Sequence, residues 1–308
     1  MDIYLPIADM PVSIFLVLGL SAAVGFISGM FGVGGGFLLT PLLIFIGVPA
    51  AIAVATVSAQ ITASSVTGAL AYWRRRALDV KLGTILLAGG LIGTVLGVWF
   101  FNAMRRLGQL ELVIMLSYIV LLGGVGSLML VESLRALWST RKGAVPPRKA
   151  RGAHPWYFGL PFRVRFHRSQ IYCSVIPLAA LSITIGFLGA VLGIGGGFLI
   201  VPALIYLFRV PTAVVVGTSL YQILFTMIAA TMLHAVTNYA VDVVLSFLLV
   251  LGGVFGAQFG ARAGRNLRGE QFRLLLALIV LAVGVRFLVE AVVRPVELYS
   301  IGAVEVRQ

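Results

Sequence analysis

One glycine-rich element occurs twice in this chain. Gly32-Val-Gly-Gly-Gly-Phe-Leu-Leu-Thr-Pro41-Leu-Leu-Ile44 matches Gly193-Ile-Gly-Gly-Gly-Phe-Leu-Ile-Val-Pro202-Ala-Leu-Ile205 at an offset of 161. One inserted residue later, Val48-Pro49 matches Val210-Pro211, Thr56 matches Thr218 and Gln60 matches Gln222. After one more insertion, Asp79 aligns with Asp242 and Gly89-Gly90-x-x-Gly93 with Gly252-Gly253-x-x-Gly256. A fold that serves one half must therefore serve the other.

Composition says where those halves sit. Of 308 residues, 60% are hydrophobic and 11% charged, against roughly 45–50% and about 25% in soluble domains. A soluble chain of this length cannot bury that much apolar surface, so the reading is an all-α polytopic membrane protein. A helix needs about 20 apolar residues to cross the hydrocarbon core, which makes eight candidate spans: 12–31, 50–73, 82–101, 111–131, 172–192, 212–234, 241–261 and 272–293. Segments 33–47 and 194–208 are shorter and open on the glycines. They read as short crossings, halves of broken helices or re-entrant segments. The expected organisation is a first transmembrane repeat at 12–131, a basic linker at 132–171 and a second repeat at 172–293, with five hydrophobic segments in each repeat.

The net charge of +13 would suggest nucleic acid in a soluble protein. Here it lies in loops, where it reports orientation, and no nucleic-acid partner is expected. With five crossings per half and an outside N-terminus, 18 of the 23 Lys and Arg fall on the inside. Arg74-Arg75-Arg76 corresponds to a loop after His234 that has no Lys or Arg, as inverted repeats with an odd number of crossings require. This arrangement predicts an inner-membrane protein with both termini periplasmic. No basic stretch precedes the first apolar segment, so no cleaved leader is expected. The linker run Phe162-Arg-Val-Arg-Phe-His-Arg168 alternates apolar and basic residues. It reads either as a segment lying on anionic lipid or as a loop that only fixes topology.

The spans offer no nucleophile–base constellation and no metal-ligand spacing; Cys173 is the single cysteine and His234 has no His or Cys near it in sequence. Neither an enzyme nor a metal or cofactor site is expected. The glycine clusters carry more information. Adjacent glycines weaken a helix by roughly 1 kcal/mol each, and a helix restarting after a break turns free N–H groups towards whatever fills the gap. Gly34, Gly35, Gly36, Gly195, Gly196 and Gly197 are therefore candidate anion-binding positions, with close helix packing as the other reading. The third segment of each half adds Thr56 and Gln60, and Thr218 and Gln222, each pair four residues apart on one helical face. Buried amides and hydroxyls donate to an oxyanion without the cost of a buried fixed charge. Ser and Thr also serve as ordinary interhelical bonds.

The duplicated Gly-x-Gly-Gly-Gly-Phe-Leu-x-x-Pro element, its Thr/Ser/Gln span and its Gly-Gly-x-x-Gly span resemble the TauE/SafE sulfite exporter family of bacterial membrane permeases. The resemblance covers about 12–131 and 172–293. It implies a secondary transporter for small sulfur-containing anions such as sulfite or organosulfonates, usually moved outward. Alternating access between inverted repeats is the expected mechanism. A passive anion channel and a non-transporting sensor or scaffold are the competing readings. Small-residue faces permit a homodimer without requiring one.

Overall fold

The computed structural model describes residues 2–31, 35–74, 78–141, 163–166, 169, 171–208, 210–263 and 269–293. The first half opens on a hairpin, β1 (Asp2–Leu5) and β2 (Met10–Ser13). It continues through α1 (Ile14–Phe31), α2 (Gly36–Phe45), α3 (Ala50–Arg74), α4 (Val80–Arg106) and α5 (Leu110–Arg141). The second half repeats that order with β3 (Arg163–Phe166), β4 (Ile171–Ser174), α6 (Val175–Leu192), α7 (Gly197–Tyr206), α8 (Thr212–Asn238), α9 (Val243–Ala263) and α10 (Gly269–Val293). Long apolar helices dominate, and the chain is an all-α multi-pass membrane protein apart from the two hairpins.

Both hairpins are antiparallel and four residues deep, and they extend the internal repeat N-terminal to where the glycine motif reveals it. They also show where the first helix of each half begins. Segments 12–31 and 172–192 begin on strand residues, so their helices start only at Ile14 and Val175. Seven helices among the described residues are long and apolar enough to cross a membrane, and Ile14–Met30 of α1 and Gly36–Phe45 are shorter apolar helices beside them. Within the expected linker 132–171, α5 continues to Arg141 and β3 lies towards the far end. The basic–apolar alternation before residue 168 has the two-residue period of a strand. Phe166 is fully buried in a cluster with Leu82, Leu86, Ile200, Leu204 and Phe208, and Val164 packs against it. Pro146, Pro147, Trp156 and Tyr157 of the linker, and Arg75, Arg76 and Arg209, lie outside the described residues.

Two compact units divide the chain, and they do not follow its two halves: one comprises 1–114 and 146–268, the other 115–145 and 269–308. Inside the first, the halves exchange partners. α1 packs along α9 of the other half, α4 along α6, and α3 against α8. Glycines make the exchanged contacts possible. On α9, Gly256 lies against the Ala22 backbone and Gly260 against the Phe26 backbone, while Gly25 of α1 meets the backbone of Gly253. On α4, Gly93 lies against the Ile183 backbone, and Gly97 meets Phe187 and Ala190 of α6. The repeated Gly-Gly-x-x-Gly is thus the surface on which one half receives the other. Outward faces carry Trp99, Phe247, Phe255 and Phe259, all strongly exposed, as a lipid-facing surface requires. In the second unit the Tyr118 and Phe287 rings stack at 5.4 Å, and Gly126 faces Leu281.

Candidate functional site

The glycine elements interrupt the chain as their composition demands. α6 ends at Gly193 in the left-handed region (φ 67°), and Gly195 and Gly196 stay there at 68° and 75°, a conformation that side chains with a Cβ resist. Gly196 caps α7, and Gly35 occupies the same place before α2. Each ten-residue helix contains a proline, Pro41 or Pro202, which cannot donate to the carbonyl of Phe37 or Phe198 one turn back.

The two breaks are in contact. Phe37 and Phe198, the second residues of α2 and α7, stack with centroids 4.5 Å apart. A Cβ on Gly36 would lie 2.7 Å from the Gly193 carbonyl oxygen, to which the Thr40 hydroxyl donates at 3.4 Å. Ile61 packs on both Gly36 and Gly195, and Ile223, its counterpart in the repeat, also reaches Gly195. Gly34 lies outside the described residues.

The polar row on α3 and α8 separates into three groups. Ser58, Thr62 and Ser64 donate to carbonyls of their own helix, as do Ser219 and Thr226, which satisfies them locally. Thr56 and Thr218 reach across the molecule. The Asp242 amide donates to the Thr56 hydroxyl and the Asp79 amide to the Thr218 hydroxyl, both at 3.2 Å. Gln60 and Gln222 form the third group: both are buried, at 3% and 1% exposure, and neither carbonyl oxygen has a hydrogen-bond partner.

Glycines of the other half receive both carboxamides. A Cβ on Gly253 would stand 2.5 Å from Gln60 Nε2, and one on Gly90 2.8 Å from Gln222 Nε2. The expected constellation is therefore distributed. Gln60 faces α9 while its neighbour Ile61 faces the glycine breaks, so the amides flank the breaks from adjacent faces of the same helices. Thr56 and Thr218 mark the N-termini of α9 and α4.

Those N-termini hold Asp79 and Asp242, the aspartates that the internal repeat aligns. Asp79 accepts from the Leu82 amide at 3.2 Å, the Ser169 amide at 3.1 Å and the Ser169 hydroxyl at 2.7 Å. Asp242 accepts from the amides of Leu245 and Ile7, both at 3.0 Å. Each carboxylate thus caps a helix and ties it to the loop of a hairpin. Their alignment in the repeat was the available signal. They are the only charged side chains in the buried set of the described residues.

His234 joins a separate chain of bonds. Its Nε2 donates to the Ala190 carbonyl at 3.1 Å, because a carbonyl only accepts, and the Asn238 amide donates to Nδ1 at 2.9 Å. Arg105 donates to the Asn238 carbonyl at 2.7 Å, and Phe101 meets the imidazole edge-on. Burial pushes the Cys173 thiol up to about 11, so it is protonated at neutral pH and inert. No cluster of metal-ligating side chains occurs among the described residues.

Two halves interlocked through glycine faces, with helix breaks meeting between them, define a multi-pass membrane transporter. The sequence profile of the family described as Sulfite exporter TauE/SafE matches residues 17–287, and the chain belongs to that family. Among similar proteins are two from Bacillus subtilis (strain 168). One, named "Probable membrane transporter protein YunE", is 26% identical across 91% of this chain and 98% of its own length. The other, "Probable membrane transporter protein YjnA", is 26% identical across 91% and 100%. A "Probable membrane transporter protein" of Xylella fastidiosa (strain Temecula1 / ATCC 700964) is 27% identical across 89% and 94%. No solved structure matches the chain.

Proposed function

We propose that the chain exports small sulfur-containing anions, sulfite or organosulfonates, across the bacterial inner membrane by alternating access, with both termini periplasmic. One observation carries this reading: each half sends a buried carboxamide with unused bonding capacity onto a glycine of the other half, beside the meeting point of the two helix breaks. The amides of Gln60 and Gln222 supply N–H donors, and the opening turns of α2 and α7 supply backbone N–H groups with no intrahelical acceptor. Such donors hold an oxyanion through partial charges, so the site never has to bury a fixed cation when it is empty. Gly35, Gly36, Gly195, Gly196 and Gly197 let backbone approach the anion, and Gly34 belongs to the same element. Thr56 and Thr218 position the flanking helices through the amides of Asp242 and Asp79. The family description supports the substrate class, and the names of the relatives support transport.

Counterflow in proteoliposomes tests this. Labelled sulfite accumulates against internal unlabelled sulfite, and sulfoacetate or thiosulfate competes while acetate and chloride do not. Flux without counterflow points to a passive channel. Absence of flux for every anion, with the protein folded, removes the transport reading.

A further inference from the structure

His234 lies outside the proposed anion site, yet it is a fully buried imidazole with both ring nitrogens engaged. What it engages is the end of α6. A helix leaves its last four carbonyls without a donor of its own, and in α6 these belong to Gly189, Ala190, Val191 and Leu192. The Gly193 amide returns to the Gly189 carbonyl at 2.9 Å. Ala190 is next in line, and the donor that reaches its carbonyl is Nε2 of His234, at 3.1 Å. An imidazole from α8 thus stands where the ladder of α6 stops.

That last turn lies on the second helix break. A Cβ on Gly189 would stand 3.7 Å from the Gly196 amide nitrogen and 3.8 Å from the Gly195 carbonyl carbon, so no side chain separates the turn from the backbone that precedes α7. The break also differs from its counterpart. Gly35 and Gly196 align in the repeat and each caps a short helix, yet φ is −74° at Gly35 and 75° at Gly196. The repeat places Tyr72 at the position of His234, so the imidazole belongs to one break alone. The Asn238 amide donates to Nδ1 at 2.9 Å, which leaves the ring hydrogen on Nε2, and Arg105 of α4 holds Asn238 through its backbone carbonyl at 2.7 Å. We propose that His234 is the positioning residue of the second break. Its Nε2–H completes the terminal turn of α6, and that turn holds Gly195 and Gly196 in the conformation that presents the first amides of α7 to the anion. This rests on the transport reading above and gives one break a support that the other lacks.

Leucine and glutamine at position 234 separate the donor from the bulk of the ring. A glutamine amide reaches the place of Nε2, whereas leucine fills space and donates nothing. His234→Leu is expected to raise the KM of sulfite counterflow about tenfold, the worth of one net hydrogen bond, with little change in maximal rate. His234→Gln is expected to keep KM near that of the parent. An unchanged KM in His234→Leu, whether or not its thermal midpoint falls, marks the imidazole as structural and overturns the proposal. A rise of the same size in both variants also overturns it, because the effect then belongs to the ring and not to its donor.

The imidazole itself gives a second readout that needs no change at position 234, so it decides even where those variants do not fold. With His154→Gln and His167→Gln, His234 is the remaining histidine of the chain, and NMR of isotopically labelled ring nitrogens reports on it alone. Nε2 is expected to carry the hydrogen, and its resonance to shift when sulfite saturates the protein, because an anion on the break pulls on the turn that the ring caps. A hydrogen on Nδ1 instead, or a resonance that saturating sulfite leaves in place, overturns the proposal and leaves transport standing. Absence of sulfite flux in the parent chain removes both.

Discussion

Two glycines one turn apart on α9 serve different purposes. A methyl group on Gly256 would run into the backbone of Ala22, which cannot move without shifting α1. One on Gly253 would meet the end of the Gln60 side chain at 2.5 Å and the Ser21 hydroxyl at 3.3 Å, and a side-chain end can swing away. Gly256→Ala should therefore cost about 1–3 kcal/mol, as overpacking against backbone does. Gly253→Ala should leave stability near that of the parent, since alanine recovers up to about 1 kcal/mol of helix propensity, yet raise the apparent KM by displacing the carboxamide. Chemical unfolding and sulfite counterflow on the two variants separate these effects; equal losses of stability would show that Gln60 has nowhere to go. The sequence made this face visible through the repeated Gly-Gly-x-x-Gly. It did not reveal that one glycine receives a side chain and its neighbour a helix, because that depends on which element crosses there.

At the scale of elements, length and composition made the apolar helices legible, and the glycine and proline pattern located the two breaks. The hairpins escaped because four-residue strands give a weak periodic signal, and β2 and β4 were absorbed into the apolar segments that follow them. Their role became visible only with the fold: the loop after β1 offers the Ile7 amide to Asp242, and the loop after β3 offers both the amide and hydroxyl of Ser169 to Asp79. The two caps are therefore unequal. Ser169→Ala removes a bond for which the other half has no equivalent, because Ala8 stands at that place in the repeat. It should cost roughly 0.5–1.5 kcal/mol. Thr56→Val and Thr218→Val each orphan a buried backbone amide and should cost about 1–3 kcal/mol, with thermal midpoints that fall accordingly. If either valine variant melts with the parent, the cross-molecule bond from that threonine contributes nothing.

Across the whole molecule, alternating access between the two repeats has to respect helices that pack across the division between them. α1 and α9 belong to different halves yet touch backbone to backbone, as do α4 and α6. Separating either pair would break these backbone contacts, so each pair is expected to move as one body. The surfaces left to slide are those between α3 and α8, where the side chains are larger. There a Cβ on Gly68 would stand 3.0 Å from Leu220. Cysteines at positions 68 and 220, in a Cys173→Ala background, bring two thiols to that boundary within reach of a short bifunctional reagent. Bridging them should stop sulfite counterflow, and cleaving a reducible bridge should restore it. Counterflow that survives complete bridging would place the moving boundary elsewhere than between α3 and α8.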